Sequence, residues 1–124
     1  MSVARQRTGR IGESLACERL LHDGCRLVTR NCRTRAGELD IVALDDRALV
    51  FVEVKTMRTG TRAGPERPVL AVGPQKQRQV RRLARAWLAE NHPPPHSSIR
   101  FDVIGVLLDP GGSAVAVEHL KDAF

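Results

Sequence analysis

Asp40, Glu53 and Lys55 are charged residues set inside runs of apolar β-formers, and chemistry is the readiest reason for that misfit. The stretch Gly37 to Thr56 reads GELDIVALDDRALVFVEVKT, two strands joined by a short polar turn at Asp45, Asp46 and Arg47. Strand side chains alternate between faces, so Leu49, Phe51, Glu53 and Lys55 share one face while Val50, Val52 and Val54 share the other. An unpaired charge taken out of water is costly or gives up its charge, so something local must hold Glu53 and Lys55 there. If the strands pair antiparallel across the turn, Asp40 comes near Glu53, and two carboxylates repel unless a cation stands between them. Such oxygen ligands suit Mg²⁺ or Mn²⁺, with water and substrate phosphate completing the shell. Asp, a spacer, then Glu-x-Lys therefore reads as a metal-dependent phosphodiester site, with Asp40 and Glu53 as ligands and Lys55 orienting the attacking water. The competing reading pairs Glu53 with Lys55 at a sheet edge and leaves Asp40 to end a turn.

Asp40 with Glu53-Val54-Lys55 is similar to the PD-(D/E)XK signature of restriction-endonuclease-like nucleases, with Leu39-Asp40 in place of Pro-Asp. More closely, Gly37 to Ala43, Leu49 to Thr56, Arg100-Phe101-Asp102-Val103-Ile104 and the closing Ala123-Phe124 resemble the small bacterial YraN-type family, related in pattern to archaeal Holliday junction resolvases. The resemblance runs from about Gly12 to Phe124. It implies an α/β fold of restriction-endonuclease-like type, a three-layer α/β/α arrangement with a central mixed β-sheet. It also implies an endonuclease that hydrolyses nucleic-acid phosphodiester bonds, on DNA and in particular branched DNA. Resolvases act on a symmetrical four-way substrate that needs two cuts, which suggests a homodimer.

The elements that must position these residues are legible on either side. From Gly9 to Asp23 the pattern is helical and Gly24 stands where a C′ glycine ends a helix. Ala16, Cys17, Leu20 and Leu21 form its apolar face, with Glu13 in the middle of that face and Glu18 on the polar side. Glu13 either complements the helix dipole in the first turn or aims a carboxylate at the sheet. Nucleases of the resembling fold place an acidic residue on the first helix beside the metal, which favours Glu13 as a third ligand.

Cys25 to Arg33 follows as a strand, and Arg30, Arg33 and Arg35 crowd the connection into Gly37, where they can hold phosphate or simply face water. Met57 to Gly73 shows neither period and reads as a long loop just beyond the catalytic strand. Pro74 opens a second helix that runs to about Asn91, before three prolines forbid continuation. Val80, Leu83, Ala84, Trp87 and Leu88 make its packing face, and Arg78, Arg81, Arg82 and Arg85 follow the same spacing on the opposite side. Four guanidinium groups with no interleaved acid suit a run of phosphates, although a solvated helix face has the same pattern. Lys76 and Gln77 lie on the inward side of the first turn, a position that by resemblance assists the metal site. Ser98 to Leu108 and Ala114 to Leu120 close the chain as strands around a turn at Asp109 to Gly112. Asp102 interrupts the first apolar run, and its position in the resembling family's pattern implies a structural role, pairing an arginine, rather than that of a ligand.

At 124 residues the chain fits one domain over residues 9–124, preceded by a flexible basic arm over residues 1–8. Twenty Lys and Arg against fourteen Asp and Glu give a formal charge of +6, which points to a polyanionic partner such as nucleic acid. Three Phe, one Trp and no Tyr leave few platforms for base stacking. No apolar run could span a bilayer and no secretory segment opens the chain, so the expectation is a cytoplasmic protein without a membrane partner. Cys17, Cys25 and Cys32 are odd in number and lack paired spacing, which makes them free thiols. Two other readings keep the fold and drop the chemistry: a catalytically silent nucleic-acid-binding module, and a partner of a DNA-processing enzyme.

Overall fold

The computed structural model describes residues 3–60 and 67–124. Helix α1 (Val3–His22) is followed by strands β1 (Arg26–Thr34), β2 (Gly37–Asp45) and β3 (Ala48–Arg58), helix α2 (Pro74–Glu90), and strands β4 (Ser98–Leu108) and β5 (Ala114–Leu120). The strands form one mixed sheet in the order β1-β2-β3-β4-β5, parallel only between β3 and β4 and antiparallel elsewhere. That single parallel pairing follows from α2, because a parallel neighbour requires a crossover and the helix supplies it.

Each face of the sheet carries its own apolar cluster. On one, Ala16, Cys17 and Leu20 of α1 pack on Ile41, Ala43, Val50, Val52, Ile104 and Val106. On the other, Leu83, Ala84 and Trp87 of α2 pack on Leu39, Val42, Leu49 and Phe51. The result is the three-layer α/β/α architecture with a central mixed sheet that the resemblance implies. Phe51 anchors the second layer through an edge contact with Trp87, centroids 5.8 Å apart, and a stacked one with Phe101 at 5.7 Å.

Local signals explain the boundaries. Gly24 adopts φ 90°, and the Cys25 and Gly24 N–H groups donate to the Leu20 and Leu21 carbonyls, a Schellman ending for α1. Gly12 lies against Thr56, and a Cβ there would overlap the Thr56 side chain, so the missing side chain lets α1 approach β3. Pro74 begins α2 and Asn91 ends it, its side-chain amide donating to the Trp87 carbonyl at 3.0 Å.

Three expectations need correction. The arm over residues 1–8 is helical from Val3, because Ala, Arg and Gln there are helix formers that extend an already nucleated α1, and Thr8 Oγ1 accepts a bond from Arg58 Nε at 3.0 Å. Met1 and Ser2 lie outside the described residues. The expected loop over residues 57–73 is shorter, since β3 runs on to Arg58 in register with β4, and Pro68–Leu70 form a 3₁₀ turn whose Val69 is buried against Gly105; residues 61–66 of that loop lie outside the described residues. Leu21, assigned to the packing face of α1, is exposed.

Asp102 is fully buried and ties four segments together. Arg100 donates to both of its oxygens at 2.8 and 2.9 Å, and also to Asp45 at the end of β2 at 2.9 Å. The Asp122 N–H donates at 3.0 Å, and His119 Nε2 stands at 2.7 Å. An ionised carboxylate only accepts, so this imidazole nitrogen is the donor. Burial pushes the Asp102 carboxyl up, but these bonds outweigh it and hold it below its usual range. The expected arginine pairing of Asp102 is thus what the structure contains. Replacing Asp102 with Ala leaves a buried imidazole without its carboxylate and takes from the mostly buried Arg100 one of its two carboxylate partners, and is expected to lower unfolding free energy by about 3–5 kcal/mol. Chemical denaturation checks this, and a loss below about 1 kcal/mol, the scale of an exposed pair, would contradict it.

Candidate active site at the parting of two strands

The β2–β3 ladder runs from Asp45 opposite Ala48 to Ile41 opposite Val52 and goes no further. At that end β2 is irregular. Residues two apart in a strand should share a face, yet Ile41 and Ala43 pack with the α1 cluster while Leu39 packs with the α2 cluster. On the other side of β2 the ladder passes from Arg30 opposite Ile41 to Cys32 opposite Leu39, omitting Asn31 and Asp40, and Asn31 has φ 49°. Asparagine is among the few residues that adopt this left-handed conformation without large strain. The irregularity turns the Asp40 carboxylate into the gap, where Oδ2 accepts the Val54 N–H at 2.8 Å. A side chain therefore replaces the next rung of the ladder and fixes Asp40 beside Glu53.

Glu53 projects toward α2, on the face of Phe51, and is buried. Its carboxyl is pushed up to about 8, first by burial, then by a hydrogen bond and repulsion from Asp40; Lys76 opposes the shift without cancelling it. The hydrogen bond requires one of the two carboxyls to carry a proton, because two ionised carboxylates have no donor between them. Lys76, in the first turn of α2, reaches Glu53 Oε2 with its Nζ at 3.2 Å.

Glu13 approaches from the opposite layer. It is half-buried, and its carboxyl is raised by burial and by the charges of Asp40 and Glu38, while a hydrogen bond with Asn31 and the charge of Arg30 lower it. Among the described residues no three carboxylate, imidazole or thiol groups form a ready metal cage. The donor set that is in contact is the pair Asp40 and Glu53, with Glu13 acting on Asp40 through its field. With both groups ionised, the pair would offer the oxygen donors that a Mg²⁺-type ion takes, with water completing the shell.

Lys55 is half-buried, shares the Glu53 face by alternation, and pairs in register with Gly105, over which Val69 sits. Among the described residues it has no ion-pair partner. The edge ion pair between Glu53 and Lys55 is not formed; Lys76 takes that place. Of the basic residues read as phosphate ligands, Arg33, Arg78, Arg82 and Arg85 are exposed. Arg81 lies over the stacked Phe101 and Phe124 rings, 4.9 and 5.6 Å from their centroids, and Arg35 stands 4.0 Å from Glu90 at the far end of α2. Gln77 donates to the Val72 carbonyl at 2.9 Å. The three cysteines are free, Cys17 and Cys25 buried and Cys32 half-buried. Sequence reasoning had no signal for the backbone role of Asn31 beyond its residue type, and set Lys76 facing inward near the site without naming Glu53 as its partner.

A profile of the uncharacterised protein family UPF0102 matches residues 12–106. A UPF0102 protein of Streptomyces griseus is 48% identical over 118 residues, covering 95% of this chain and 96% of that one. One from Frankia alni is 49% identical over 121 residues, covering 98% and 97%, and one from Pelobacter propionicus is 49% identical over 119 residues, covering 94% and 81%. No described helix is long and apolar enough to cross a membrane.

A raised Glu53 gives a pH signature. Between its ordinary 4.5 and about 8 the native state holds a proton that the unfolded chain releases. Stability from this group is therefore full below the lower value and falls as pH rises through the window. Replacing Glu53 with Gln removes that slope: the variant should match the wild type near about pH 5 and exceed it by a few kcal/mol near about pH 9. Denaturant titrations at both pH values test this, and a difference independent of pH would contradict it.

Proposed function

The chain belongs to the UPF0102 family, and from its site we propose that it is a Mg²⁺-dependent endonuclease acting on the phosphodiester backbone of nucleic acid, DNA in the first instance. The observation that carries this reading is the contact between Asp40 and Glu53, held by the Asp40 bond to the Val54 N–H, with Lys55 one alternation further on. Buried carboxylates gathered in one place stabilise nothing by themselves, and their arrangement makes sense as a cation site.

A bound divalent ion would lower the pKa of a water and offset charge on the phosphate. The protein's own groups do the rest. Asp40 and Glu53 would supply its oxygen ligands, and Glu13 adds negative field beside Asp40. Lys55 would orient the attacking water and counter the charge that grows on the phosphoryl oxygens. Arg78, Arg82 and Arg85, exposed along α2, and Arg33 supply cations for flanking phosphates. The cation contacts of Arg81 and Arg35 with the rings and with Glu90 reserve them partly for the fold.

One observation favours a second reading, a catalytically silent binding module. Lys76 already neutralises Glu53, so the pair has a cation without any metal.

Lys55 separates the two. A protonated lysine is no metal ligand, so Lys55→Met should leave melting, metal-induced stabilisation and nucleic-acid binding near wild type while cleavage falls on the order of 10²-fold or more. The assay is incubation with Mg²⁺ or Mn²⁺ against linear, single-stranded, flapped and four-way DNA. Equal cleavage by wild type and variant overturns the mechanism; binding without cleavage of any substrate by the wild type establishes the binding module.

A further inference from the structure

Lys76 stands at an unfavourable place on its helix. It is in the first turn of α2, which has no acidic residue and no side-chain N-cap, so the positive end of the helix dipole faces a positive side chain. Local helix energetics alone would favour an acid here. What compensates is Glu53, whose carboxylate receives the Lys76 ammonium at 3.2 Å. The two partners are unequally placed: the Glu53 side chain is 12% exposed and that of Lys76 46% exposed. Glu53 is fixed in the sheet, whereas Lys76 sits at the rim on a flexible four-carbon stem that can swing outward without disturbing a packed core.

The ammonium takes up one of the two Glu53 oxygens, Oε2, that a cation would share. One carboxylate oxygen cannot hold an ammonium at hydrogen-bond distance and a divalent ion together without strong repulsion between the two cations. Lys76 lies in the exposed first turn of α2, so a phosphate that reaches this helix end meets its ammonium. Helix N-terminal N–H groups favour the same anion.

We propose that Lys76 is a displaceable internal counter-ion of the Asp40–Glu53 pair: it holds the cation position in the metal-free protein and moves to a phosphate of bound nucleic acid when a divalent ion enters. This rests on the nuclease reading of the site. Its consequence is that metal and nucleic acid bind cooperatively, since each relieves the competition that Lys76 imposes on the other. The device keeps the carboxylate pair neutralised, and without metal, until substrate arrives.

The test is metal affinity, read without cleavage. Mn²⁺ binding is titrated by calorimetry on the intact protein, for wild type, Lys76→Met, Lys76→Gln and Asp40→Asn, with and without a short duplex that carries non-hydrolysable phosphorothioate linkages. Removing one cation at this range should tighten Mn²⁺ binding about tenfold or more in both Lys76 variants without nucleic acid. Nucleic acid should tighten Mn²⁺ binding more in the wild type than in the Lys76 variants, where phosphate can still complete the metal's shell but no ammonium has to be displaced. Unchanged or weaker Mn²⁺ binding in the Lys76 variants, with binding still lost in Asp40→Asn, overturns the counter-ion role and leaves the metal site standing. Absence of any Mn²⁺ binding that depends on Asp40 overturns both.

Discussion

The candidate site depends on one contact, two carboxyl groups held together inside a sheet. Asp40 and Glu53 repel when both are ionised, and burial of Glu53 keeps water from screening them. The protein tolerates the contact because neighbouring parts resist its collapse. The β2–β3 ladder, the Phe51–Trp87–Phe101 cluster and α1 across Gly12 fix the backbone on which both residues sit. The residual charge is then met by a proton and by Lys76.

The site depends on a break in regular structure. A perfect ladder would place the Asp40 backbone opposite Glu53 and leave its side chain to the pleat. The irregularity at Asn31 and Asp40 frees that side chain to take the Val54 N–H instead, so one carboxylate oxygen does the work of a strand carbonyl while the group stays beside Glu53. Each helical layer meets one member of the pair: Glu13 from α1 and Asp40 repel each other, and Lys76 from α2 pairs with Glu53. The Asp102 cluster plays a separate part. It joins β2, β4, β5 and the C-terminal turn through Arg100, His119 and Asp122, and it belongs to the scaffold.

Much of this was readable from residue order. The alternation in Leu49 to Lys55, the turn at Asp46, the C′ glycine at position 24 and the two-faced pattern of the second helix are local, so the hairpin, the end of the first helix and the whole of the second stand near their expected bounds, whereas the start of the first helix does not. Charged residues in apolar strands marked Asp40, Glu53 and Asp102 as needing partners. Partner choice was less legible, because it is a tertiary property: nothing local told Lys76 from Lys55 as the cation of Glu53, or separated Arg81, which covers two rings, from the exposed Arg78 and Arg82. The left-handed Asn31 was hidden for the same reason, since its conformation is set by the strand beside it.

The central claim is that the Asp40–Glu53 pair is a divalent-cation site. Crystals of the protein grown with Mn²⁺ and measured at the manganese absorption edge test it most directly. The account predicts an anomalous peak within coordination distance of both carboxylates, with the Lys76 ammonium displaced from Glu53. Diffraction without a peak there at saturating Mn²⁺, and with Lys76 still on Glu53, would contradict it.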